Sequence, residues 1–207
     1  MGILKSFNQH LFESSESTKN PVTVTAYHGS GHKFTEFSQI HAKIPNDFYG
    51  GGIGYFTDSR DVAGTYAHAS SKVTRTPHVY HTELKMDNVF DVDHKFSGQK
   101  LKNLLPKDTR EFAKAVGLLN ASNMDNENSI LGSLERGDTE LSGHDLFWGL
   151  SKGGTKTAQA RDHLIKRGGY DGLRYNGGVN MNQATRHNVY IPYNAHSISI
   201  KQIERLK

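Results

Sequence analysis

The spacing of hydrophobic and polar positions changes character several times along this chain. Val22, Val24 and Ala26 alternate with Thr23 and Thr25 and lead into Tyr27, the period-two pattern of a strand ending at His28, and Gly29-Ser30-Gly31 is expected to break it. A glycine-rich turn, Tyr49 to Gly54, leads into Tyr55-Phe56-Thr57. Asp58-Ser59 then offers an N-cap for a helix through Asp61 to Ser71. His78 to Leu84 reads as a strand and Val89 to Val92 as a second, shorter one. From Ser97 to Arg167 the period turns helical, with Leu101, Leu104, Leu105, Phe112, Val116 and Leu119 on mixed i, i+3, i+4 spacing. Asn120 to Ser129 is an Asn/Ser-rich loop, and a helix over Gln159 to Lys166 is stopped by Gly168-Gly169. The tail returns to strands at Gly172 to Tyr175, Asn188 to Ile191 and Ser197 to Ile200, with Pro192 confining the Tyr190 strand to an edge or to its own end. Strands and one helix, then helices, then strands again predict an α+β fold with a split, mainly antiparallel sheet and a helical insertion.

The first 20 residues stand apart. Leu4, Phe7, Leu11 and Phe12 recur at helical spacing, and Ser14 to Pro21 is a polar linker, so the chain divides into an arm over 1–20 and a single domain over 21–207. The 207 residues suffice for one core, and nine tyrosines and ten phenylalanines suffice to line a pocket. A net charge of +4 suits an anionic partner such as a dinucleotide, nucleic acid or an acidic protein face, and suits a plain soluble protein as well. With no cysteine, disulfide scaffolds, thiolate zinc sites and cysteine nucleophiles are excluded. No apolar run approaches the roughly 18 residues that span a bilayer, and residues 1–19 lack a signal-peptide core, so a cytoplasmic monomer without membrane contact is expected.

Five pieces carry candidate chemistry, in this order. They are Tyr27-His28-Gly29 with Phe34 and Phe37; Tyr55-Phe56-Thr57-Asp58 with Ala63, Tyr66 and Ala67; and Val79-Tyr80 with Leu84, Asn88, Asp91 and Asp93. Gly169-Tyr170-Asp171-Gly172 and Tyr190 with Ile198 and Ile200 complete the set. Together they resemble the His-Tyr-Glu branch of the ADP-ribosyltransferase superfamily, the diphtheria-toxin and poly(ADP-ribose)-polymerase type, in its small phage and bacterial members. The resemblance spans residues 22–203 and is loose through the helical middle.

The resemblance implies that NAD⁺ is bound as a substrate. His28 would hydrogen-bond the adenosine-side ribose, backbone groups of Gly29 would clamp the nicotinamide carboxamide, and Tyr27, Ser30 and Phe56 would frame the pocket. A glycine suits that clamp because a side chain would hold the ligand off the backbone. Tyr55 and Tyr66 would sandwich the nicotinamide ring, and aromatic faces suit a cationic, electron-poor ring. Without that context, each pair of aromatics or lone histidine would read as packing. Two departures stand out. An extra glycine, Gly54, precedes the tyrosine, and a serine that touches the carboxamide in some relatives falls at Ala63.

The third departure concerns the chemistry itself. The family's late strand carries Asn-Glu-Tyr, whose glutamate binds the ribose 2′-hydroxyl and favours an oxocarbenium-like transition state. Here the stretch is Asn188-Val189-Tyr190, which puts Val189 at the glutamate position. Three outcomes stand open: a mono-ADP-ribosyltransferase with weaker, substrate-assisted chemistry; Asn188 or Gln183 standing in; or a binding module without turnover. The first is the expectation, with ADP-ribose going to a host macromolecule, protein before nucleic acid. The alternative is a non-catalytic NAD⁺ or ADP-ribose binder.

Competing constellations are weaker. Gly50 to Gly54 lacks the Gly-Lys-Ser/Thr of a phosphate loop and the spacing of a dinucleotide fingerprint. His28 with His32, or His78 with His81, lack a third ligand at standard spacing, so no metal is expected. Lys152, Lys156, Arg161, Lys166 and Arg167 form a basic stretch that reads first as a solvated helix face. Finally, Leu4 to Glu13 resembles the capsid-targeting peptides of large tailed phages, in which Leu11-Phe12-Glu13 would be the prohead-protease cut. That resemblance implies a virion protein released into the host cytoplasm with the DNA.

Overall fold

The computed structural model describes residues 19–38, 49, 52–70, 76–178 and 186–207. The N-terminal arm with its cleavage motif, Gly50-Gly51, and residues 179–185 with Gln183 lie outside the described residues.

The alternating segment forms β1 (Val22–Ser30), which runs straight through Gly29 to Ser30 rather than ending at His28. The glycine is therefore part of the strand. After β2 (Phe56–Thr57) comes α1 (Arg60–Ser70), where the Ser59 hydroxyl accepts from the Val62 N–H at 3.3 Å. Next are β3 (His78–Met86), β4 (Val89–Asp91) and β5 (Lys95–Phe96). The helical middle holds α2 (Gly98–Leu104), α3 (Thr109–Ala115) and α4 (Glu127–Arg136). α4 starts inside the stretch expected to be a loop. Its apolar positions Ile130, Leu131 and Leu134 have a core to pack on, and that outweighs the Asn/Ser-rich composition. The two-residue β6 (Leu141–Ser142) pairs with β5, a small hairpin-like sheet the helical pattern concealed. α5 (Gly143–Leu150) and α6 (Thr157–Gly168) complete the helices, and α6 ends where Gly169 turns left-handed at φ 64°. β7 (Gly172–Gly177), β8 (His187–Pro192) and β9 (Ile198–Arg205) return the chain to the sheet.

The main sheet runs β4-β7-β8-β2-β1-β3-β9, antiparallel except for β4 against β7. The fold is α+β, as the pattern predicts. β8 is interior, and Pro192 sits at its end, opposite Gly172, where no further ladder bond is required. Two halves of the sheet, β4-β7-β8 and β1-β3-β9, are joined through the two residues of β2. Its registered contact with β1 is Tyr27 opposite Thr57. Beyond Tyr27, β1 pairs with β3 alone among the described residues.

Strand parity sorts side chains onto two faces. Tyr27, Thr57, Val189 and Tyr175 lie in cross-strand register on one face. That face packs against the helices. α2 to α6 cover Phe90, Leu173, Val189 and Ile191 with Leu101, Leu104, Phe112, Leu134, Leu146 and Leu164, while α1 covers Val79 through Ala63 and Ala67. Ile203, Tyr80, His28, Phe56, Tyr190, Arg174 and Asp91 form one continuous row on the opposite face, which carries its own cluster of Ala26, Phe56, Leu84, Met86 and Tyr190.

Candidate functional site

His28 lies where the sheet halves part. Its ring is crowded by Phe37 at 5.2 Å, Phe56 at 5.4 Å, Tyr80 at 6.0 Å and Phe34 at 6.1 Å between centroids. The segment after β1 closes this box because the Tyr80 hydroxyl accepts from the Phe34 N–H at 2.6 Å and faces the carbonyls of His32 and Phe34 at 3.2 Å. Phe34 then stacks on the Tyr80 ring at 4.1 Å. Desolvation by these rings pushes the His28 pKa from 6.5 down to about 4. The imidazole is therefore neutral at pH 7. Its Nδ1 lies 2.8 Å from the Tyr55 carbonyl oxygen, which can only accept, so Nδ1 carries the proton. Nε2 is left as a hydrogen-bond acceptor, and it has no partner among the described residues.

Tyr55 is half-buried and packs against the helical core, and its backbone, not its ring, meets His28. The preceding turn is fixed from the other side of the sheet. The Ile53 N–H donates to the Pro192 carbonyl at 2.9 Å, and a Cβ on Gly52 would stand 2.3 Å from Ile191 Cγ2 and 2.6 Å from the Pro192 carbonyl. Gly54, the extra glycine, is buried beside the site, with its Cβ position 3.5 Å from the His28 ring and from Phe56 Cε2. The Tyr49 ring packs in the helical core, with its centroid 4.7 Å from that of Tyr175.

Gly29 has a different reason to be glycine from the one the resemblance implies. A Cβ there would sit 1.9 Å from the Ala63 carbonyl oxygen and 2.7 Å from the Ala67 nitrogen, so α1 crosses β1 at this residue with backbone on backbone. Ala63 is accordingly buried beneath the strand, and Tyr27 lies on that same face, edge-on to His81 at 5.1 Å. Ser30 ends β1 with its hydroxyl accepting from the His32 N–H at 3.1 Å. Phe56 is fully buried between His28 and Tyr190. Tyr66, on α1, is 46% exposed and free to meet a ligand.

The late strand divides its two candidates. Val189 is 7% exposed and sits in the helical core among Leu173, Ile191 and Tyr193, on the face of the sheet away from His28. Asn188 faces the His28 side but is already engaged. Its amide donates to Asp58 Oδ2 at 2.7 Å, its N–H donates to Asp58 Oδ1 at 3.0 Å, and its carbonyl accepts from the Asp58 N–H at 3.2 Å. The structure thus brings together His28, the Tyr55 backbone, Phe56 and Gly54, and keeps Val189, the Tyr55 ring and α1 with Tyr66 on the opposite face of the sheet.

No protein-family model and no curated protein matches this chain. Among solved structures, the chain is similar to one from the Mycobacterium tuberculosis MbcT–MbcA toxin–antitoxin complex. The identity is 14%, the alignment covers 90% of this chain and 85% of that one, and the TM-score is 0.43.

The sequence singles out Tyr80 but not its role, and Glu204 escapes it altogether. Tyr80, which holds the cover over His28, is 52 residues away and is placed there by the register His28 opposite Tyr80. Glu204 accepts from Arg60 Nε at 3.1 Å and meets His81 Nε2 at 3.1 Å, a cluster that pins the start of α1 to β9. His78 and His81 lie on opposite faces of β3 and cannot share an ion. In the basic stretch, Arg161 pairs with Asp162, while Lys166 and Arg167 line a shallow cleft with Gln99, Lys102 and Asn103. No helix among the described residues is long and apolar enough to cross a membrane.

Proposed function

We propose that the protein is an NAD⁺-dependent mono-ADP-ribosyltransferase, transferring ADP-ribose to one group on a macromolecule, with protein as the acceptor. The observation that carries this reading is the state of His28. It is neutral, fixed in its Nδ1–H tautomer by Tyr55, and presents Nε2 as an acceptor for a ribose hydroxyl at the parting of the sheet. By the resemblance, Tyr55, half-buried against the helical core, and the exposed Tyr66 on α1 would be the aromatic faces for nicotinamide, both carried on the face of the sheet opposite the His28 ring. In the reaction the bond between the anomeric carbon and the nicotinamide nitrogen breaks, and nicotinamide leaves neutral with the electron pair. The acceptor nucleophile then bonds to the anomeric carbon and loses its proton to water.

One specific observation favours a second reading, a non-catalytic NAD⁺ or ADP-ribose binder. Val189 is sunk in the helical core and the Asn188 amide is held by Asp58, so neither supplies an anionic group toward His28. Incubation of the protein with labelled NAD⁺ and a lysate separates the two. Label transferred by the wild type and lost in both His28→Ala and Tyr55→Ala supports the transferase. NAD⁺ raising the melting temperature without transfer or nicotinamide release supports the binder, and no NAD⁺ effect of either kind defeats both.

A further inference from the structure

On the face of the sheet that carries His28, one residue pair further along the strands, Ser30, His78 and Arg205 lie in cross-strand register. Beside them opens a cleft of about 320 Å³ lined by Lys33, Thr76, His78, Ile203 and Arg205. That volume lies at the small end of ligand clefts, roughly 300–1,000 Å³. It is separated from the His28 box by Tyr80, which neighbours Ile203 on the sheet and tethers the segment containing Lys33.

The lining has a definite chemistry. Lys33 and Arg205 are both exposed at the rim, and neither has an ion-pair partner among the described residues. No carboxylate lines the cleft among the described residues. Glu204, adjacent to Arg205, points to the other face, where Arg60 and His81 hold it. His78 is only 8% exposed, yet its Nε2 is not sealed in the interior. Its Nδ1 lies 2.8 Å from the Thr76 carbonyl and so donates to it, which orients Nε2 as an acceptor with no partner among the described residues. Two unpaired cations, a fixed acceptor and a hydroxyl, over the apolar Ile203, match an anion esterified to a group that bears hydroxyls.

We propose that this cleft is a separate binding site for a phosphorylated ribose, with Lys33 and Arg205 on the phosphate and His78 Nε2 accepting from a sugar hydroxyl. The inference stands on the cleft's own side chains and does not require the transferase reading.

Calorimetric titration with ribose 5-phosphate tests it. The wild type binds saturably, and the Lys33→Gln/Arg205→Gln double variant binds about tenfold or more weakly. The melting temperature of that variant is unchanged, because both side chains are exposed. His78→Asn, which can still donate toward Thr76, weakens ribose 5-phosphate more than inorganic phosphate. His28→Ala leaves ribose 5-phosphate binding intact whether or not NAD⁺ is turned over, so the failure of either reading is visible by itself. Simultaneous binding of ADP-ribose supports a separate site, and competition by ADP-ribose, which would make the cleft an extension of the His28 site, overturns it. Absence of saturable binding by the wild type overturns the proposal. So does equal binding by the double variant, or loss of binding in His28→Ala.

Discussion

His28 Nδ1 donates to the Tyr55 carbonyl across 2.8 Å, and this contact decides what the imidazole can do. A protonated ring would still satisfy Tyr55, but it would have to charge among four aromatic rings. The pKa of about 4 reflects that burial, against 6.5 in an unperturbed histidine.

The same burial makes stability depend on pH, and its sign can be worked out. Because the folded pKa is depressed, the unfolded chain binds a proton between pH 6.5 and about 4 that the native chain refuses. The stability associated with neutral His28 is complete above pH 6.5, falls as the pH drops toward 4, and falls no further below. At 1.36 kcal/mol per unit, the full loss is on the order of 3 kcal/mol. His163 is shifted in the same direction by desolvation, so the wild type must be compared with a variant. Urea unfolding at pH 7 and pH 4.5 should show a smaller pH effect in His28→Phe than in the wild type, and equal effects would refute the assignment.

Glycine positions separate packing from access. Gly29→Ala drives a methyl into the Ala63 carbonyl and the Ala67 nitrogen, backbone atoms that cannot swing aside. A loss of about 3 kcal/mol or more is expected, a melting temperature lower by roughly 6–12 °C. Gly54→Ala meets only ordinary contacts at 3.5 Å, so its melting temperature should stay within about 3 °C of the wild type. Thermal melts of the two variants check this, and a tolerated Gly29→Ala would contradict the α1 crossing.

That contrast also shows what the sequence could convey. The alternation in Val22 to Tyr27 and the turn chemistry at Gly52 to Ser59 are local, and they place β2, α1 and the start of β1, although β1 runs on to Ser30 past its expected end at His28. The role of Gly29 is not local. Nothing in Tyr-His-Gly-Ser says that a helix beginning thirty-one residues later crosses there, so a glycine needed for packing reads in the sequence as one that serves a ligand. The neutrality of His28 depends on Phe34, Phe37, Phe56 and Tyr80, which come together only through strand pairing and the tether from Tyr80. The strand from Asn188 is legible in its own residues, but the direction of each side chain on it comes from register with β2 and β7.

Asp58 and Asn188 join the entrance of α1 to β8 through three hydrogen bonds, two of them to the Asp58 carboxylate. Asp58→Ala removes both carboxylate bonds, and Asn188→Ala removes one of them. Each variant should lose about 1–2 kcal/mol, discounted for the exposure of the pair. A double-mutant cycle in urea should return a coupling of about 1 kcal/mol. Additive losses would show that the two side chains stabilise the junction independently.

Val189 allows the sharpest test of how far the family's chemistry applies. Its side chain packs among Leu173, Ile191 and Tyr193 and lies close to Gly177, where an added Cβ would already stand 2.9 Å from Val189 Cγ2. Val189→Glu would put a longer, ionisable chain into that space, on the face opposite His28. The carboxyl would have to be neutral in the core or force its way out, and either route should cost several kcal/mol. Val189→Thr keeps the shape and buries one hydroxyl, so a smaller loss of about 1–2 kcal/mol is expected. The expected order of melting temperature is wild type, then Val189→Thr, then Val189→Glu, with no gain in nicotinamide release from NAD⁺ in the glutamate variant. A Val189→Glu protein that melts with the wild type and releases nicotinamide faster would mean that this position opens onto the His28 site after all.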